Sequence, residues 1–211
     1  MSGEHDAEQE KLPDEAEVRS LCAAWGKGDP LALSYHDTRW CRPVHDDTEL
    51  FALLCLEGQQ AGLSWLTILR KEKEYRRVFH GFSPEAILQM SEAELAAAMQ
   101  NPGIIRNRQK VMAIRKNAEA LVRLLSGGEF RTFESYVWHF TGGRRIVHHP
   151  RGLSEIPAED DLSHTVSADL RRRGFVFCGP VIIYSFLQAA GVTDDHLEGC
   201  PCKIMSELPS V

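Results

Sequence analysis

The sequence predicts an all-α fold, and three observations carry that prediction. Val111, Ile114, Ala118, Leu121, Val122 and Leu125 recur at helical spacing between Arg106 and Leu125, which puts them on one face of a helix. Helix start signals recur along the chain at Asp29-Pro30, Asp46-Asp47, Ser64, Ser83-Pro84-Glu85 and Ser91-Glu92-Ala93-Glu94, each an oxygen-bearing residue just ahead of a patterned run. No stretch alternates apolar and polar residues strongly enough for a sheet, and no internal repeat is present.

The elements follow in order. Pro30 stands at a first-turn position after Asp29 and opens a short helix, where a missing N–H costs nothing. The run from Leu50 to Leu56 reads as a buried helix. Ser64 caps a helix from Leu66 to about Phe79, with Arg70, Lys71, Lys73 and Arg76 on its polar face. Ser91 and Glu94 fit a capping box, in which each satisfies the other's free N–H. Asn101-Pro102-Gly103 is a turn, and Ser126-Gly127-Gly128 ends the long helix after it. Phe133 to Phe140 is a short aromatic helix closed by Thr141-Gly142-Gly143. Residues 144–163 read as an irregular loop. Val166 to Arg173 and Pro180 to Ala190 are the last helices, stopped by Gly174 and Gly191.

The chain has 211 residues, enough for one domain of two small lobes around a cleft. Seven acids and one base fall in residues 1–18, which therefore carry the whole net charge of −6 and read as a disordered tail. Residues 19–211 balance 23 acids against 23 bases, so the folded body, residues 19–203, can still present a basic face to a polyanion. Residues 204–211 form a C-terminal tail. No apolar run reaches membrane-spanning length and the polar N-terminus is no leader sequence, so a cytoplasmic location is expected. There the six cysteines are thiols or metal ligands rather than disulfides.

Four constellations carry possible chemistry. The segment Cys55-Leu56-Glu57-Gly58-Gln59-Gln60-Ala61-Gly62-Leu63-Ser64-Trp65 places a carboxylate, two amides and an indole at the end of a buried helix. Burying a carboxylate is costly, so the group suits a pocket for a planar, hydrogen-bonding ligand; the plainer reading is a solvated helix end with Trp65 in the core. Trp25, Tyr35, Trp40 and Trp65 cluster in sequence, ordinarily core residues but able to stack on an extruded base. His196 and Cys200 share a face if their segment is helical, which makes half a tetrahedral zinc site. Cys22 and His36 supply the other half, with Cys41 and Cys202 as spare thiols. Last, the Pro102-Gly103 turn leads into six bases against one acid between residues 106 and 123. Charged helix residues usually mark a solvated face, but a turn just ahead of them offers free N–H groups to a phosphate.

These residues resemble a known family. Tyr35-His36-Asp37 with Trp40, the decapeptide Leu56 to Trp65, Gly103-Ile104-Ile105-Arg106, Leu153 to Pro157, Arg173-Gly174-Phe175 with Phe177, and Asp195-His196 with Cys200 occur in the order found in the DNA-3-methyladenine glycosylase I family. The resemblance runs from about Cys22 to Cys202. It implies a helix-hairpin-helix glycosylase fold that excises N3-methyladenine from alkylated duplex DNA. A monomer is expected separately, because no exposed apolar stripe remains unassigned. By position, Glu57 and Tyr35 would hydrogen-bond the extruded base, Trp65 would stack on it, and Trp25 and Trp40 would line the pocket. Leu63 beside Gly62 would wedge the duplex, with Gly103, Arg106, Arg108 and Lys110 on the DNA backbone. One structural zinc would be held by Cys22, His36, His196 and Cys200. The family has Cys-x-Trp at the first ligand, whereas Cys22-Ala23-Ala24-Trp25 carries one extra residue, which leaves Cys41 as a substitute. No matched motif supplies a Schiff-base lysine, so no strand-nicking lyase activity is expected. A non-catalytic reader of alkylation damage with the same fold is the alternative. An iron–sulfur glycosylase would need four clustered cysteines where only Cys178, Cys200 and Cys202 stand.

Overall fold

The computed structural model describes residues 14–204, and within them the chain forms eleven α-helices and one short parallel ladder. In order these are α1 (Glu15–Cys22), α2 (Pro30–Thr38), α3 (Asp47–Gln60), α4 (Trp65–Leu69), α5 (Glu72–Val78), α6 (Pro84–Leu88), α7 (Glu92–Gln100), α8 (Arg108–Ser126), α9 (Phe133–His139), β1 (Ile146–Val147), α10 (Asp161–Arg172), α11 (Pro180–Ala189) and β2 (Thr193–Asp194). Residues 1–13 of the acidic tail and 205–211 of the C-terminal tail lie outside the described residues. No described helix is long and apolar enough to cross a membrane.

Helix α3 is the axis. Asp46 caps it by accepting from the Glu49 N–H, an interaction that stabilises a helix by about 1 kcal/mol. Every residue from Leu50 to Gln59 is buried, because α4, α8, α9 and α11 all pack on it. Each fully buried Leu or Phe there contributes roughly 1.5–3 kcal/mol. Its C-terminal turns carry the polar Glu57 and Gln59 into that core, and the site is built there.

Four expectations change. Asp14 and Glu17 form a capping box that starts α1 at Glu15, so the end of the acidic stretch is helical. The helix expected from Leu66 to Phe79 breaks at Arg70 and Lys71. Arg70 pairs with Asp29 at 2.6 Å and the Lys71 ammonium donates to the Pro102 carbonyl at 2.6 Å, tertiary anchors that local propensity does not reveal. The loop at 144–163 contains β1, a 3-10 turn at Leu153–Glu155 and the start of α10, which a capping box between Asp160 and Ser163 begins early. Residues 196–200 form a turn, so the condition that would put His196 and Cys200 on one helix face is not met. The ladder pairs Ile146 with Thr193 and Val147 with Asp194, too short for any alternation to show. Gly191 lets the chain leaving α11 pass against the segment between α2 and α3: a Cβ there would stand 2.2 Å from the Arg42 carbonyl carbon.

Candidate active site

A cavity of about 400 Å³ opens at the C-terminal end of α3, within the size range of small-molecule sites. Glu57 from α3, Tyr35 from α2, Trp65 from α4, and Trp25 and Trp40 from the flanking turns all line it. The structure thus brings together all five residues expected at the base. Glu57 is 3% exposed, and its Oε2 has no hydrogen-bond partner. Burial alone pushes its carboxyl up to about 8. The Trp65 Nε1–H is also buried without a partner. One unpaired acceptor and one unpaired donor on the same cavity wall are costly, and a hydrogen-bonding ligand would relieve both. Tyr35 packs edge-on against Trp25 at 6.1 Å and lies 5.5 Å from Trp65. Burial, with the Glu57 charge adding to it, holds the Tyr35 phenol well above its ordinary value, so it is a neutral hydroxyl.

Sequence reasoning missed several lining residues. Leu153 and Ile156 reach the cavity from the segment after β1, and Ser185 and Gln188 reach it from α11. The Leu153 to Pro157 block signalled the first pair; nothing in the periodicity of α11 marked the second. Of the two amides in the central segment, Gln60 lines the cavity but Gln59 turns away from it. Gln59 is 1% exposed and accepts from the Tyr75 hydroxyl at 3.1 Å.

Beneath Trp40 lies a cluster of side chains that could hold a metal ion. The Cys22, His36 and Cys200 ligand atoms lie within 4.8 Å of one another, as do those of His36, His196 and Cys202. His36 therefore joins all the residues expected there. Its Nδ1 sits 2.9 Å from Asp37 Oδ1, and the His196 Nδ1 sits 2.7 Å from Asp194 Oδ1. A carboxylate on Nδ1 fixes the tautomer and leaves Nε2 as a lone-pair donor, the usual arrangement behind a metal-bound histidine. The His196 Nε2 is fully buried with no partner, and the His36 Nε2 lies 3.8 Å from Cys200 Sγ. This donor set fits a tetrahedral zinc. Cys41 groups instead with Asp194 and His196. The Trp40 ring stacks 5.7 Å from His36 and meets His196 edge-on at 4.7 Å, so one residue closes both the cavity and the cluster.

The turn at residues 101–107 joins α7 to α8. Asn101 Oδ1 accepts from the Gly103 N–H at 2.8 Å, and the Ile105 N–H donates to the Tyr75 hydroxyl at 3.0 Å. A Cβ on Gly103 would fall 2.4 Å from Glu74 Cγ. Arg106 and Arg108 are exposed and have no carboxylate partner among the described residues. Lys110 departs from expectation: it is 7% exposed and its ammonium donates to the Gln59 and Ala61 carbonyls at 2.8 and 2.7 Å. It faces the interior, because α3 ends with bare carbonyls directly beneath it. Gly62, at φ +75°, turns the chain out of α3 and leaves Leu63 41% exposed beside the cavity.

Comparison with known proteins bears on this arrangement. Residues 25–203 match the family model described as methyladenine glycosylase. An Escherichia coli protein named DNA-3-methyladenine glycosylase 1 is 44% identical over 178 residues, which span 84% of this chain and 94% of that protein. A solved structure of 3-methyladenine DNA glycosylase I with a tyrosine-to-phenylalanine substitution, in complex with 3-methyladenine, is 38% identical at a TM-score of 0.83 and covers 88% of this chain and 98% of its own. A glutamate-to-glutamine variant from Staphylococcus aureus is 37% identical at a TM-score of 0.83, with 89% and 99% covered. The chain belongs to the methyladenine glycosylase family.

Proposed function

We propose that this chain is a monofunctional, monomeric DNA glycosylase that draws N3-methyladenine out of alkylated duplex DNA and hydrolyses its glycosidic bond. The observation that carries this reading is the buried Glu57 carboxyl, with Oε2 unpartnered, on an aromatic cavity in a member of this family. The two solved variants support it, since their substituted tyrosine and glutamate are numbered as far apart as Tyr35 and Glu57 are here.

Methylation at N3 makes the attached base a cation. Its departure needs little acid catalysis, because the electrons of the breaking C1′–N9 bond neutralise it. A cation entering the cavity favours the ionised form of Glu57, as an opposite charge does for any carboxyl. The carboxylate then holds the base and stabilises positive charge as it moves onto the sugar. Water bonds to C1′ and gives up its proton to solvent. Tyr35, a neutral hydroxyl, and the Trp65 N–H direct the base edge, and the indoles stack on its faces. The proposed reaction is hydrolysis with no lyase step, which would need an amine nucleophile; the described residues that line the cavity are aromatic, aliphatic, amide, hydroxyl, thiol and carboxyl groups.

We read α7, the turn and α8 as the helix-hairpin-helix that holds the DNA backbone through Gly103, Arg106 and Arg108, with Gly62 and Leu63 wedging the duplex. A zinc held by Cys22, His36, His196 and Cys200, with no open position, ties the N-terminal helix to the C-terminal turn and plays no part in bond cleavage. The deciding experiment is release of free base from alkylated duplex DNA by wild type, Glu57→Gln and Trp65→Ala. Release of 3-methyladenine by wild type, reduced in both variants, is expected. A folded, zinc-loaded wild type that binds such DNA and releases nothing would sink the reading and leave a damage binder.

A further inference from the structure

The geometry points to Lys110 as a positioning residue that couples the DNA-holding hairpin to the wedge. The last carbonyls of a helix have no partner within it. The Lys110 ammonium takes two at the end of α3, Gln59 at 2.8 Å and Ala61 at 2.7 Å. The bond is reciprocated: the Gln59 side-chain amide donates to the Lys110 carbonyl at 3.0 Å. Gln59 in turn accepts from Tyr75, whose hydroxyl accepts from the Ile105 N–H in the hairpin turn. One closed set of hydrogen bonds therefore joins the first turn of α8, the hairpin and the end of α3.

What leaves α3 at that point explains why this matters. Ala61 is its C-cap, Gly62 turns the chain at φ +75°, and the exposed Leu63 follows. Glu57 stands one turn back on the same helix. A hairpin seated on the phosphates thereby fixes where Leu63 meets the base stack. Ordinary surface lysines do not do this; burial lowers the affinity of Lys110 for its proton, and carbonyls at a helix C-terminus favour the charged form. A neutral replacement of the same length keeps the packing and releases the loop.

This inference rests on the glycosylase reading, and the test separates the two. Single-turnover base release is measured for wild type, Lys110→Met and Lys110→Arg on one alkylated sequence, with the lesion either paired in duplex or in a bulge already outside the stack. Lys110→Met is expected to slow release from the paired site at least tenfold, to leave the bulged site and 3-methyladenine affinity within about twofold, and to be largely rescued in Lys110→Arg. Combined with Leu63→Ala it adds little further loss, since both act through the wedge. An equal loss on both substrates, or none on the paired one, overturns the inference. Absence of release by wild type from either substrate overturns the glycosylase reading instead. Should Lys110→Met fail to fold, Lys110→Gln, which keeps two N–H donors without the charge, answers the same question.

Discussion

Burial favours the protonated form of Glu57, because ionisation there would leave a charge with no partner among the described residues. Its carboxyl is raised to about 8 from 4.5. A raised carboxyl lends stability below its unfolded value and withdraws it as pH climbs through the folded value. Glu57→Gln has no proton to lose. It should therefore gain in melting stability relative to wild type between pH 5 and pH 9, by about 1–3 kcal/mol at the upper end, while its affinity for 3-methyladenine falls. A stability difference that is flat across that range would show that Glu57 is already ionised by a partner. The same residue shows what was legible at this scale. A carboxylate at the end of a fully apolar run is visible in sequence, since packing gives no reason for it. The division of labour between Gln59 and Gln60 is not, because adjacent helix side chains diverge and only the tertiary neighbours tell which faces the cavity.

Helix α8 combines an inward and an outward use of basic residues within its first turn. Spacing alone placed Arg106, Arg108 and Lys110 together, since a run of positive residues after a turn looks uniform. The helix phase separates them: Arg108 is exposed and Lys110 is buried under α3. A phosphate contact releases counterions, so its loss flattens the dependence of affinity on salt. Arg106→Ala and Arg108→Ala should each weaken DNA binding and reduce the slope of log affinity against log salt by about 0.9. Lys110→Met should leave that slope unchanged. A reduced slope in Lys110→Met, measured by fluorescence anisotropy over a salt series, would return Lys110 to the backbone contacts. Elements with strong local signals, such as the capped α7 and the periodic α8, were legible from sequence. The break after α4 was not, because its cause lies in Asp29 and Pro102, far away in the chain.

At the scale of the whole molecule, the small cluster at Cys22, Leu197 and Cys200 closes the chain's two ends on each other. Its residue types were legible, but the means of assembly were not: the two-residue ladder and the turn at 196–200 set His196 in place without the helical segment that i, i+4 spacing would need. The hydrophobic core beneath α3 is separate and larger, so the proposed zinc would serve the closure rather than the core. Structural zinc binds with about 10–16 kcal/mol in small domains, and even about 3–5 kcal/mol lost from a chain this size lowers the melting temperature by roughly 10 °C. Metal analysis should find one zinc per chain, and chelation should lower the melting temperature on that scale. Protein still folded after chelation should bind 3-methyladenine with less than a tenfold change, about 1.4 kcal/mol, because of the four ligand residues only Cys22 lines the cavity, with Trp40 packed between cavity and cluster. Cys22→Ser should lose zinc and Cys41→Ser should keep it, since Cys22 groups with His36 and Cys200 while Cys41 does not. The reverse pattern would transfer the fourth ligand to Cys41, and a His196→Ala variant with full zinc and unchanged melting would remove that histidine from the site.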